Sequence, residues 1–257
     1  MLNEQTIEKL YALRLSAMAQ AFKEQMETPD ASDSLSFHER FGLLVDRQWT
    51  SRENNRLQRC LKNARLKTSA CVEDIDYKTP RGIDKNLMLA LSSCQWARKQ
   101  QNIIIIGPTG VGKSFLASAL ANKACRENIS AFYIRVPRLL HDLALAHADG
   151  SYPKLMTRLI KTRVLVLDDF AMTPLNDMER RTLLEVVEDR YATGSTILTS
   201  QLPVDHWHMT IGDPTIADAI LDRLVHNAHK ISLKGDSMRK LKKIDFNCNV
   251  VLEDECF

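Results

Sequence analysis

Two rhythms of apolar and polar positions run along this chain. From Leu2 to Met26, apolar residues recur at Leu10, Leu13, Ala17 and Ala21, close to the helical period. A polar break follows at Thr28–Ser34. Ser36 and Glu39 have the spacing of a capping box, which predicts the start of a second helix. That helix continues through Phe41, Leu44, Val45, Gln48 and Trp49. From about Cys71 to Asp84 the rhythm is lost, and Thr79-Pro80-Arg81-Gly82 punctuates what reads as a linker.

From Asn86 onward the rhythm alternates. Amphipathic helices are predicted over Leu87–Lys99, Lys113–Asn128, Leu139–Leu159 (interrupted near Gly150), Asp177–Tyr191 and Thr215–Asn227. Between them lie short apolar runs that predict strands: Ile103–Ile106, Ala131–Val136, Val164–Leu167, Ser195–Thr199 and Lys230–Leu233. Strands apolar on both faces that alternate with helices predict an α/β fold, with a parallel sheet flanked by helices. The expected organisation is an N-terminal all-α domain at 1–70, a linker at 71–85 and an α/β domain at 86–257.

Composition narrows the class. At 257 residues, 44% hydrophobic and 26% charged, the chain can bury a sizeable core and is unlike a disordered segment. No apolar run is long enough to span a bilayer. Met1–Leu15 carries Glu4, Glu8, Lys9 and Arg14, so it does not read as a signal peptide. A cytoplasmic location without membrane attachment is the expectation. The six cysteines show no metal-like spacing and read as reduced thiols.

The net charge of +3 conceals an asymmetry. Between Arg40 and Lys67, eight basic residues face only Asp46 and Glu53. Arg52, Arg56 and Arg59 fall at i, i+4 and i+7, on one helix face. A second basic group, Arg135, Arg138, Lys154, Arg158 and Lys161, lies within the α/β part. Either group suits the phosphate backbone of a nucleic acid, with little sequence preference.

The sharpest chemistry is Gly107-Pro108-Thr109-Gly110-Val111-Gly112-Lys113-Ser114. It fits G-x-x-x-x-G-K-[ST], with a strand before it and a helix after it. Backbone N–H groups in such a loop converge on phosphate oxygens, and the helix N-terminus adds positive potential. Lys113 is placed to reach the β- and γ-phosphates of ATP, and Ser114 to ligate Mg²⁺. The run Val164–Leu167 ends in Asp168 and Asp169, at the strand end where ligands bind in parallel sheets. Asp168 is the candidate Mg²⁺ carboxylate and Asp169 the group that polarises water. Ser200 and Gln201 close the next strand and are both candidates to sense the terminal phosphate. Arg223, after Asp222 on a helix, reads from spacing alone as a surface ion pair.

Taken together, the chain resembles the IstB-like branch of the AAA+ ATPases, the ATP-binding helpers of bacterial insertion sequences, relatives of replicative helicase loaders. The resemblance rests on Arg81-Gly82-Ile83-Asp84-Lys85, Gly107–Ser114, Leu167-Asp168-Asp169-Phe170, Thr199-Ser200-Gln201-Leu202-Pro203, Asp222-Arg223-Leu224 and Gly235-Asp236-Ser237-Met238-Arg239. It implies a AAA+ P-loop core in which Arg223 acts in trans on a neighbouring subunit's nucleotide. It also implies that Arg239 occupies the second-sensor position. The implied partners are duplex DNA, a transposase and further copies of the chain, with nucleotide bound between subunits. Three departures stand out. Asp169 occupies a position where most AAA+ members carry Glu, which implies slow hydrolysis, and Ala171 one where the branch commonly has Gly. Only 24 residues follow Leu233, too few for a full C-terminal lid domain.

The leading expectation is an ATP-dependent DNA-remodelling ATPase that assists a transposase. The alternative is a helicase-loader-type chaperone for a replicative helicase, and a monomeric small-molecule kinase is a third reading that the trans arginine disfavours.

Overall fold

The computed structural model describes residues 2–27 and 35–238. The expected break at Thr28–Ser34, and Arg239 with the rest of the tail, lie outside the described residues. The chain divides into two compact units, 1–59 and 60–257.

The first unit is helical. The helix expected over Leu2–Met26 is two helices, α1 (Leu2–Ala12) and α2 (Ser16–Glu27). They part at a tight turn in which Leu15 N–H donates to the Leu10 carbonyl and Arg14 takes φ +58°. This C-terminal cap satisfies carbonyls that a continuous helix would have used internally. The third helix, α3 (Phe37–Ala64), begins at the predicted capping box. Ser36 N–H donates to Glu39 Oε2 at 2.8 Å, and Glu39 N–H to Ser36 Oγ at 3.4 Å. Gln48 is buried on α3 and accepts from the Met18 N–H at 3.1 Å.

The second unit holds a five-stranded parallel sheet in the order β2-β3-β4-β1-β5. Its strands are β1 (Asn102–Ile106), β2 (Ala131–Arg135), β3 (Val164–Asp168), β4 (Ser195–Ser200) and β5 (Ala228–Ser232). The last strand begins two residues earlier than hydropathy predicts, because Ala228 pairs with Asn102 at the start of β1. The helices are α4 (Lys85–Ser92), α5 (Gln95–Arg98), α6 (Lys113–Arg126), α7 (Val136–Asp149), α8 (Tyr152–Lys161), α9 (Asp177–Arg190), α10 (Trp207–Ile211) and α11 (Pro214–Val225). The helix expected over Leu87–Lys99 breaks into α4 and α5, where Cys94 takes φ +56°. Gly150, at φ +77°, separates α7 from α8 as the sequence indicates.

Every residue of β1 except Ile106, and all of β3 and β4, is buried; β1 and β3 accordingly read as nearly continuous apolar runs, and the Ser and Thr residues of β4 are buried with them. Leu139, Leu143, Leu165, Leu198 and Leu224 join Phe170 and Trp207 in the core. The segment 71–85, read from sequence as a linker, is built into this unit: Ile75 and Arg81 are both buried. Among the described residues, no helix is long and apolar enough to cross a membrane.

Candidate nucleotide site

The site lies at the carboxyl ends of β1, β3 and β4, where parallel strands deliver their side chains to a common edge. The loop after β1 needs glycine most at Gly107, where φ is +156° and a Cβ would meet the Leu233 carbonyl oxygen at 2.5 Å, and needs it again at Gly112, where φ is +107°. Helix α6 starts at the next residue, with its N-terminus toward the loop. Lys113 is buried and donates from Nζ to the carbonyls of Gly107 (2.8 Å) and Pro108 (2.9 Å). Arg81 braces the loop from outside, donating to the Val111 carbonyl at 3.1 Å and the Asp76 carbonyl at 2.6 Å. A cavity of about 750 Å³ opens here. Its lining includes Lys67, Thr109, Lys113, Ser114, Asp169 and Gln201.

Asp168 is fully buried at the end of β3. Its carboxylate accepts from Ser114 Oγ at 2.9 and 3.0 Å and from the Tyr133 and Thr199 hydroxyls, and Lys67 Nζ pairs with it at 3.2 Å. Burial pushes this carboxyl's pKa up. The hydrogen bonds from Thr199, Tyr133 and Ser114, with the Lys67 charge, outweigh it and hold the group below its ordinary 3.8. Burial and the neighbouring Asp168 carboxylate push the Tyr133 phenol well up, so Tyr133 acts as a donor.

Asp169 takes φ +58°, a left-handed conformation that Asp tolerates better than most residues. Its N–H donates to Thr199 Oγ1 at 3.2 Å, and its Oδ2 accepts from Arg135 Nε at 2.7 Å. Arg135, grouped from sequence with the nucleic-acid candidates, therefore lines the cavity paired to an acidic residue. Ala171 has φ +56°, a left-handed conformation in which a Cβ costs about 1 kcal/mol.

The two sensor candidates part company. Gln201 Oε1 accepts from Thr109 Oγ1 at 2.6 Å, on the rim of the cavity. Ser200 points to the other face, as its neighbour in a strand must. It is buried, donates to the Phe170 carbonyl at 2.9 Å and accepts from Trp207 Nε1 at 3.2 Å. Ser200 thus holds the core, and Thr199 is the β4 residue on the acidic pair.

Arg223 is not at this cavity. It sits near the end of α11, where its backbone carbonyl accepts from Asn102 Nδ2, at the first residue of β1. The five residues of β1, about 3.3 Å each, separate it from its own phosphate loop. Its guanidinium pairs with Glu188 at 2.9 Å and donates to the Ala219 carbonyl.

Of the other basic candidates, Arg52, Arg56 and Arg59 share a groove in the first unit with Asn55 and Arg14. Arg14 comes from the α1–α2 turn and carried no sequence signal. Arg138 pairs with Asp142 at 2.8 Å, and Arg158 stacks over the Phe132 ring at 4.1 Å. Lys154 and Lys161 are exposed on α8. Spacing also missed Lys67, Tyr133 and Thr199. Tyr133 stands out afterwards as a polar residue inside an apolar strand, whereas Thr199 is one of several Ser and Thr residues of β4 and Lys67 is indistinguishable from its basic surroundings.

Similarity to known proteins runs through most of both units. The family described as IstB-like ATP binding protein matches residues 8–245. A Sinorhizobium fredii protein named as insertion sequence ATP-binding protein y4pL is 49% identical over 240 residues, covering 93% of this chain and 98% of that one. The ATP-binding protein named for insertion sequence IS21 of Pseudomonas aeruginosa is 31% identical, covering 83% of this chain and 80% of that one. Among solved structures, the DnaC helicase loader has a TM-score of 0.54 at 19% identity, covering 64% of this chain and 97% of that one. AMPPCP-bound DnaA from Aquifex aeolicus scores 0.56 at 16% identity, covering 71% and 57%. These two likenesses establish the AAA+ P-loop fold.

The buried carboxylate makes the fold acid-sensitive in a defined direction. Its folded pKa lies below the unfolded one, so its contribution to stability is complete above 3.8 and is lost as pH falls below that value. Acid unfolding followed by circular dichroism should show a stability slope shallower by up to about one proton in Asp168→Asn. Parallel slopes in the two proteins would contradict this assignment.

Proposed function

Because the chain belongs to the IstB-like ATP-binding protein family, we propose that it is an oligomeric, Mg²⁺-dependent ATPase of the cytoplasm that assembles on duplex DNA and presents it to a transposase. The observation that carries the ATPase reading is the pairing of Ser114, the loop hydroxyl, with the buried Asp168 carboxylate at 2.9 and 3.0 Å. Two hard oxygen donors beside a phosphate-binding loop fit Mg²⁺, which takes the remainder of its shell from phosphate and water. When bound, the ion neutralises charge developing on the phosphates.

The chain's own groups do the rest. The loop N–H groups, the α6 N-terminus and Lys113 hold the polyphosphate. Tyr133 and Thr199 fix the Asp168 carboxylate so that its oxygens face Ser114. Asp169 accepts a proton from, or orients, the attacking water, and Arg135 sets its position. Gln201, tied to Thr109 of the loop, reads the occupancy of the phosphate end. Arg239 is the second-sensor candidate from the family resemblance.

Arg223 supports the oligomer. Its side chain lies at the opposite end of β1 from its own loop, so it reaches a nucleotide only on a neighbouring subunit. In that setting it stabilises charge on the transferring phosphate. Two basic groups serve DNA: Arg52, Arg56 and Arg59 with Arg14 in the first unit, and Arg138, Lys154, Arg158 and Lys161 on α7 and α8. In an assembly each patch repeats from copy to copy, and that repetition gives a near-neutral chain a basic track. The insertion-sequence relatives favour a transposase over a helicase as the protein partner.

Co-sedimentation with duplex DNA tests the assembly. Mg²⁺–ATP should pellet the protein with DNA, Mg²⁺–ADP much less, and Lys113→Ala not at all. Equal pelleting in all three would overturn the reading. Mixing tests the trans arginine. Lys113→Ala and Arg223→Ala are each expected to hydrolyse ATP at least about 10²-fold more slowly than the parent. An equimolar mixture should recover part of the rate, because some interfaces pair an intact loop with an intact Arg223. No recovery, together with an active Arg223→Ala protein, would refute a trans role.

A further inference from the structure

Lys67 has no place in the functions assigned so far, yet it touches the most buried charge of the site. Its ammonium is 3.2 Å from Asp168 Oδ2, and its side chain keeps 39% of its surface exposed while the carboxylate has none. The other three donors to Asp168, from Ser114, Tyr133 and Thr199, are neutral hydroxyls. Hydroxyls orient a carboxylate but do not cancel its charge, and a buried uncancelled charge is costly. Among the described residues, Lys67 is the one cation paired with Asp168.

The geometry of Lys67 makes this pairing exchangeable. It is a single contact at the long end of an ion pair, made by a flexible stem that projects from the cavity wall. Thr68 and Ser69, the next residues, line the same cavity. A divalent cation held by Ser114 and Asp168 would supply the missing positive charge, and the Lys67 ammonium would then leave the carboxylate. The released ammonium is then at the phosphate end of a cavity that also presents Lys113 and Gln201, and its strongest available partner is a terminal phosphate oxygen.

We propose that Lys67 is a nucleotide-discriminating residue. It neutralises Asp168 in the nucleotide-free protein and transfers to the terminal phosphate of a bound nucleoside triphosphate, so that it favours ATP over ADP. This rests on the nucleotide-site reading above and adds to it a residue that distinguishes triphosphate from diphosphate.

Calorimetric titration of Mg²⁺–ATP and Mg²⁺–ADP into the parent, Lys67→Ala, Lys67→Arg and Lys113→Ala proteins tests the proposal. Lys67→Ala should weaken ATP by about tenfold and ADP by less than about threefold, the difference expected for one lost charge-assisted contact. Lys67→Arg, which keeps the charge and guards against a folding defect in the alanine variant, should recover most of the ATP affinity. Equal weakening of both nucleotides, or none of either, would overturn the role of Lys67 and leave the site itself intact. Undiminished binding of both nucleotides to Lys113→Ala would instead refute the nucleotide site.

Discussion

The site depends on one carboxylate that the fold removes from water. Asp168 ends a strand buried on both faces, and an ionised group in that position needs every lone pair and its whole charge answered. The answers come from four elements. Ser114 arrives from the first turn of α6, Tyr133 from β2, Thr199 from β4 and Lys67 from the segment after α3. Each element is thereby registered against β3. The sheet order β2-β3-β4-β1-β5 sets β3 between the strands that carry Tyr133 and Thr199, with the phosphate loop on the far side of β4. Solving the electrostatics of one buried charge brings the loop, the acidic pair and the strand-end sensor to a common edge.

The same logic explains why adjacent residues serve different ends. Thr199 bonds the Asp168 carboxylate, Gln201 lines the cavity, and Ser200 between them faces the core beneath Trp207. Asp168 and Asp169 diverge for another reason. The left-handed conformation at Asp169 turns the backbone off the sheet and delivers its carboxylate to Arg135. Charge also divides spatially: the site consumes Lys67, Arg81, Lys113 and Arg135, while Arg52, Arg56, Arg59 and Arg14 gather in the helical unit.

Much of this was legible in the sequence, and the reason is physical. Gly107–Ser114 and Val164–Asp169 are local patterns whose chemistry depends on neighbours in sequence, so spacing reveals them. The parallel sheet was legible because β1 and β3 are apolar on both faces. Three things were not. Helix continuity misled at Arg14 and Cys94, since left-handed caps on non-glycine residues leave no compositional mark. The choice among Thr199, Ser200 and Gln201 required the strand's facing, which periodicity cannot assign when both faces are buried. Lys67 and Arg81 act across 101 and 30 residues of separation, and only the folded chain brings such partners together.

Whether the Asp168 carboxylate holds magnesium is decided most directly by calorimetric titration of ATP into the parent protein and Asp168→Asn, each with and without Mg²⁺. Asparagine keeps the shape and the acceptor oxygen and removes the charge. In the absence of Mg²⁺ the two proteins should bind ATP within a few-fold of each other. Adding Mg²⁺ should strengthen binding to the parent by at least about tenfold and leave Asp168→Asn nearly unchanged. An equal gain in both proteins would show that the buried carboxylate does not hold the ion.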